Sequence, residues 1–285
     1  MPGLSPGRAR LYLADSWLVL RTHWHELTPD VRAAIEDRTG PVHDAYTASA
    51  GKNSALAAVL STAQGSVFVK GLRRDDPRVV SQGREAAITP YVYPVCPALL
   101  WRTEVHGWNL LGFEHTPGRH ADYSPGSDDI PKVVAAVRCL GAMPCPELPQ
   151  LKRAEQRWAT HVDRADEVAL LAGETLLHTD YSPDNVLIHG PHARLVDWAW
   201  PTRGAAFIDS ACLVVRLIFA GHTAAQAEQH VASLPAWRSA PAGGLDVFAS
   251  ALARMWVQIA EADPSPWKTG MARSANAWRA FRVTA

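Results

Sequence analysis

The sequence predicts an α+β fold in two parts: an antiparallel sheet with one packed helix first, then a mainly helical part. Three observations carry this. Short runs with β-branched content and period-two alternation crowd the stretch from Val42 to Phe113. The segment Pro117 to Ser127, rich in Pro, Gly and Ser, then reads as a linker. Beyond it come apolar-faced helical stretches, Leu213 to Gly221, Leu245 to Glu261 and Ala272 to Arg282.

Residues Met1 to Glu26 carry no pattern that assigns an element. Thr28-Pro29-Asp30 opens a helix, with a capping Thr, Pro at the first helical position and an acid in the first turn, and Gly40-Pro41 should close it. Val42 to Ala48 and Ser54 to Thr62 read as strands around the turn Ser49-Ala50-Gly51-Lys52-Asn53. Gly65 leads into a third strand, Ser66 to Leu72. Asp76-Pro77 should open a helix ending at Pro90, and Ala98 to Arg102 and Trp108 to Phe113 complete the strands of this part. In the second part the expected β structure is confined to short runs around one polar block, described below.

At 285 residues and 47% hydrophobic content, the chain can bury one large or two modest cores. Its formal net charge is zero and its charges are interspersed, which argues against nucleic acid as a partner. Four cysteines, Cys96, Cys139, Cys145 and Cys212, show neither C-x-x-C pairing nor metal spacing, as expected of a reduced cytoplasmic protein. The early run Trp17-Leu18-Val19-Leu20 is too short for a signal peptide or a membrane span, and no other stretch approaches membrane length.

The most informative block is His178-Thr179-Asp180-Tyr181-Ser182-Pro183-Asp184-Asn185, an H-x-D-x-x-x-x-N pattern. Apolar runs flank it, Thr175 to Leu177 before and Val186 to Ile188 after, and a third run, Arg194 to Val196, delivers Asp197. Buried strands broken by turns read this way. Either piece alone also fits a polar turn whose Asp and Asn serve only as turn formers. Together they supply what phosphoryl transfer from a nucleotide requires: a carboxylate for the acceptor hydroxyl, and an Asn plus a carboxylate to hold Mg²⁺ against the phosphates.

In this order and spacing, the block resembles the catalytic motif of the aminoglycoside phosphotransferase family, the small-molecule branch of the protein-kinase-like fold. Val196-Asp197-Trp198 is similar to the family's metal-binding segment, and Gly204-Ala205-Ala206-Phe207-Ile208-Asp209 to its G-x-P-x-x-D-L-A stretch. The resemblance spans Leu171 to Leu213 and, more loosely, Asp44 to Gly118. It departs from the family at Thr179, where Gly is usual, and in lacking the Pro before Asp209. It implies a two-lobed kinase-like fold, with residues 1–116 as a nucleotide-binding lobe and 117–285 as a helical lobe holding the catalytic loop and acceptor pocket.

The same resemblance implies roles. Asp180 would be the catalytic carboxylate, Asn185 and Asp197 the Mg²⁺ ligands, and His178 and Asp209 braces of the catalytic loop. Lys70 would meet the phosphates of ATP or GTP, steadied by Glu85 from the following helix; the bland alternative is a strand-end lysine reaching solvent. The turn holding Gly51 and Asn53 would lie over the phosphates. It is not a P-loop, since Tyr46 stands where the first Gly is needed. Glu114 to Thr116 falls where the hinge meets the adenine edge.

Asp184 reads as a turn residue, and His23, His25, His189 and His192 as exposed polar residues. Most of the eleven tryptophans should be core, with Trp198 or Trp200 near enough to Asp197 to shape a pocket. The implied activity moves a γ-phosphoryl group to a hydroxyl of a small molecule. A Ser or Thr on a biosynthetic peptide, or an inactive nucleotide-binding protein, are the alternatives. After Asp197 bases outnumber acids, which favours a neutral or mildly anionic acceptor over a polycationic aminoglycoside.

Overall fold

The computed structural model describes residues 21–48 and 53–284. Gly51 and most of the unassigned N-terminal stretch lie outside them. Helix α1 (Pro29–Thr39) begins with Pro at its first position and ends at Gly40, whose φ of 78° only glycine adopts readily. Thr28 occupies the capping position, but its side chain makes no capping hydrogen bond.

The strands β1 (Val42–Thr47), β2 (Leu56–Thr62) and β3 (Gly65–Arg73) are followed by helix α2 (Val79–Val92), then β4 (Leu99–Val105) and β5 (Trp108–Glu114). They form one antiparallel sheet in the order β1-β2-β3-β5-β4. Strand β4 outruns the expected end at Arg102, because a two-residue turn closes the hairpin where Val105 pairs with Trp108. His106 and Gly107 both have positive φ there, 47° and 78°, the conformation that matches the twist of paired strands. A small core of Leu56, Leu60, Val69, Leu72 and Leu110 packs against Val31 and Ile35 of α1.

Helix α2 begins at Val79 and continues through Pro90 to Val92, past the expected stop. Proline costs a helix one amide donor and crowds the preceding turn, but burial decides here. Ile88 and Val92 are fully buried in the main core of the second part, together with Val134, Leu176 and Leu195.

The second part is helical with more β structure than the sequence suggested. The short strand β6 (Arg119–His120) lies in the Pro-Gly-Ser segment and precedes helix α3 (Asp129–Gly141). Then come β7 (Lys152–Arg153), the single-turn helix α4 (Ala154–Arg157), β8 (Thr175–Leu177), β9 (Val186–His189), β10 (His192–Leu195) and β11 (Thr202–Gly204). They pair as β10-β9-β6 and β7-β11-β8. The expected linker is therefore held: β6 pairs with β9, and Tyr123 is buried. Strands this short carry too few alternating positions to be read from pattern. Helices α5 (Phe207–Phe219), α6 (Ala224–Val231), α7 (Pro235–Arg238), α8 (Gly244–Ala262) and α9 (Pro266–Thr284) complete the chain. No helix among the described residues is long and apolar enough to cross a membrane.

Candidate active site

Strand β8 delivers the polar block to the junction of the two parts, and the first turn of α5 receives it. Asp209 accepts three hydrogen bonds, from the amides of His178 at 2.9 Å and Thr179 at 2.8 Å and from the Tyr181 hydroxyl at 2.9 Å. Burial pushes its carboxyl above the usual range, and these donors oppose that. His178 is buried. Its Nδ1 accepts from the Asp180 amide at 3.2 Å, which leaves Nε2 to donate to the Val196 carbonyl at 3.0 Å. The ring also meets Trp198 edge-on, 4.6 Å between centroids.

The loop so held turns Asp180 outward, its side chain 39% exposed. The Asn185 side-chain amide donates to the Asp180 backbone carbonyl at 3.4 Å, while the Asn185 backbone carbonyl accepts from the Val196 amide at 2.9 Å. That bond fixes Asn185 against the residue preceding Asp197. Asp197 itself has φ 62°, a strained setting for a residue with a Cβ.

Lys70 comes from the other part of the molecule, 127 residues from Asp197 in sequence. Its Nζ lies 2.6 Å from Glu85 Oε2 on α2 and 3.3 Å from Asp197 Oδ1. Burial opposes the ammonium, but Glu85 and Asp197 outweigh it and hold Lys70 above the ordinary lysine value. Burial likewise works against the Asp197 carboxylate, and Lys70 with the Asn53 side chain brings it below its ordinary value.

Lys70, Glu85, Asn53, Asp180, Asn185 and Asp197 thus meet around one junction. Glu114 and Thr116 stand beside it at the end of β5. Their side chains meet Arg194, 3.0 Å from Glu114 Oε2 and 3.2 Å from Thr116 Oγ1, and the Glu114 amide donates to the Ala98 carbonyl at 2.8 Å. Among the described residues no group of His, Cys, Asp and Glu forms a closed metal cage. One carboxylate and one amide oxygen are the hard donors that Mg²⁺ accepts when phosphates and water supply the rest, so Asn185 and Asp197 fit that ion.

No family model matches the chain, and no curated protein does. Solved structures do. An aminoglycoside phosphotransferase from Alicyclobacillus acidocaldarius matches with a TM-score of 0.62 at 12% identity, over 90% of this chain and 95% of that one. Choline kinase LicA from Streptococcus pneumoniae matches with a TM-score of 0.61 at 11% identity, over 88% and 98%. A thermostable mutant of aminoglycoside phosphotransferase APH(4)-Ia, in ternary complex with ADP and hygromycin B, matches with a TM-score of 0.53 at 13% identity, over 87% and 98%. The chain has the aminoglycoside phosphotransferase fold. At these identities the likeness establishes the two-lobed, kinase-like architecture and leaves chemistry to the residues.

Two arginines of this aminoglycoside phosphotransferase-like fold escaped sequence reasoning as members of the site. Arg216 of α5 places Nη2 2.8 Å from Asp180 Oδ1, with its guanidinium over Trp256. Arg157 of α4 donates to Thr179 Oγ1 at 2.8 Å, to Thr202 Oγ1 at 2.5 Å and to the Trp200 carbonyl at 3.4 Å. Thr179 has φ 68°, the left-handed region, where the similar family carries Gly. Its hydroxyl bond to Arg157 gives the side chain a use that Gly would forgo. No spacing rule links Arg157 to a loop 22 residues away.

Proposed function

We propose that the chain is an ATP- or GTP-dependent phosphotransferase that moves the γ-phosphoryl group to a hydroxyl of a small molecule. The observation that carries this is Lys70 held between Glu85 and Asp197, with Asn185 and Asp180 on the adjoining loops. We place the boundary between a nucleotide-binding lobe and a catalytic lobe at Thr116 and Pro117.

The backbone from Glu114 to Thr116 would meet the base, and Asn53 would stand over the phosphates. Lys70, oriented by Glu85, would dock on the phosphate oxygens without first losing its side-chain freedom. Mg²⁺ between Asn185 and Asp197 would neutralise phosphate charge. The acceptor oxygen bonds to phosphorus, the bond from phosphorus to the leaving nucleotide oxygen breaks, and Asp180 takes or orients the acceptor proton. His178 and Asp209 keep that loop in place. Because such transition states are loose, positioning and charge supply most of the rate.

A polycationic acceptor fits poorly. Arg216 lies across Asp180, and Asp129 is bound by Arg119 and Lys132. Glu228 and Asp246 are taken by Arg282, and Asp263 by Lys268. A neutral or mildly anionic alcohol suits the site, and kanamycin or streptomycin turned over at ordinary enzyme efficiency would refute that preference.

The test is release of ADP from ATP and Mg²⁺ across a panel of hydroxyl compounds, with Asp180→Ala alongside. Acceptor-dependent release should vanish in Asp180→Ala while the ATP analogue AMP-PNP still binds. Full turnover by that variant would overturn the assignment.

A further inference from the structure

A cavity opens between α2 and the segment from Pro149 to Arg157, which holds β7 and α4, with Arg102 of β4 also at its wall. Its volume is about 670 Å³. Five of its lining residues are cationic, Arg84, Arg102, Lys152, Arg153 and Arg157, and none is acidic. Two have acids of their own: Arg102 pairs with Glu104 at 3.1 Å and Arg153 with Glu155 at 3.4 Å. Arg84, Lys152 and Arg157 have no carboxylate partner among the described residues, and they converge on one ring. Lys152 Nζ lies 4.5 Å from the Trp200 ring centroid, and the guanidinium carbons of Arg157 and Arg84 lie at 5.5 and 5.8 Å.

An indole face offsets a fraction of such a charge cluster. Burial, then Arg84 and Arg157, bring the Lys152 ammonium down to about 8, and burial brings Arg157 down to about 10. Asp180 and Asp209 favour the Arg157 charge without pairing with it, yet burial still outweighs them, so the cluster costs the empty protein stability, and that cost is offset when an anion enters. The cluster also joins three pieces of the site. Arg84 adjoins Glu85 on α2, Trp200 follows Asp197 by three residues, and Arg157 holds Thr179, which precedes Asp180.

We propose that this cavity is an oxyanion site, taking a phosphate or carboxylate group that ties α2 to the catalytic loop through Arg84, Lys152 and Arg157. The group comes either as a tail of the acceptor or as a free anion. Binding stands on the cavity itself; its effect on turnover rests on the phosphotransfer reading.

The experiment uses the whole chain with AMP-PNP and Mg²⁺ saturating the nucleotide site, so that added inorganic phosphate reports on this cavity. Calorimetric titration with phosphate should give binding to the wild type that weakens at least about tenfold in Arg84→Gln and in Lys152→Gln. Thermal melts of the variants without phosphate should match or exceed the wild type, since a like-charge cluster is relieved. Undetectable phosphate binding by the wild type, or equal binding by the wild type and both variants, would overturn the proposal. With an acceptor in hand, phosphate raising KM at constant kcat identifies the acceptor tail as the source, and phosphate raising kcat identifies a free anion; each supports the site. Failure of AMP-PNP to bind would sink the phosphotransfer reading alone, and phosphate binding would then be measured without nucleotide in Lys70→Met.

Discussion

Arg216 Nη2 lies 2.8 Å from Asp180 Oδ1, so the outward-facing carboxylate of the loop after β8 is held by a cation from α5. The Asp180 side chain also accepts from the Ser182 amide at 3.2 Å. Two donors on one oxygen limit the rotation that an exposed carboxylate would otherwise have.

Removing one donor should loosen the carboxylate without touching the nucleotide. Arg216→Ala is expected to lower acceptor-dependent kcat/KM by about tenfold, equivalent to about 1.4 kcal/mol of transition-state stabilisation. AMP-PNP affinity should be unchanged and Arg216→Lys should restore part of the rate. An unchanged rate in Arg216→Ala would show the pair to be incidental.

The Lys70–Glu85 pair is buried, with side chains 11% and 5% exposed. Lys70→Met should therefore damage stability as well as nucleotide binding, because it leaves Glu85 without its counter-ion. A loss of about 3 kcal/mol is expected, largely recovered in the double variant Lys70→Met with Glu85→Gln. Burial already pushes Glu85 upward. Without Lys70, the folded state holds a proton there that the unfolded state releases, so the deficit of Lys70→Met should shrink on acidification. Denaturant unfolding of the single and double variants at two pH values measures this; a deficit independent of pH contradicts it.

A carboxylate contributes more than an amide to a hard-cation site. Asp197→Asn should abolish most of the extra thermal stabilisation that Mg²⁺ adds to AMP-PNP, and Asn185→Ala should reduce it less. The wild-type Mg²⁺ increment persisting in Asp197→Asn would place the metal elsewhere.

Lys152 provides a pH signature. Its value falls from 10.5 to about 8 in the folded protein through burial, then Arg84 and Arg157. Between those values the unfolded chain binds more protons than the folded one, so this group makes stability rise with pH across the window. Below about 8 the full penalty is present, and above 10.5 it is gone. Relative to Lys152→Met, the wild type should gain stability from pH 8 upward. Parallel curves for the two proteins would contradict the shift.

The strands that deliver Asp180 and Asp197 were legible because each is an apolar run ended by turn residues, and Asn185 follows from spacing along one loop. Glu85 was legible as a mid-helix position, whereas Lys70, read as a strand end, lies inside β3 between Ala57 and Leu111. The rest depends on contacts that sequence distance hides. Arg157 reaches Thr179 across 22 residues and Arg216 reaches Asp180 across 36, and neither stands in a distinctive local pattern. The passage of α2 through Pro90 was hidden for a related reason: local propensity argues for a stop, and burial of Val92 in a distant core overrides it.

That override has a consequence for how the protein assembles. Ile88, Val92, Val95 and Cys96 belong in sequence to the sheet-bearing half, yet their side chains complete the core of the helical half. A fragment ending near residue 116 would carry an uncovered apolar helix face, and its complement would have a gap where that face belongs. On that packing the two halves should unfold together as one cooperative unit, and loosening the larger core should open the cleft between them.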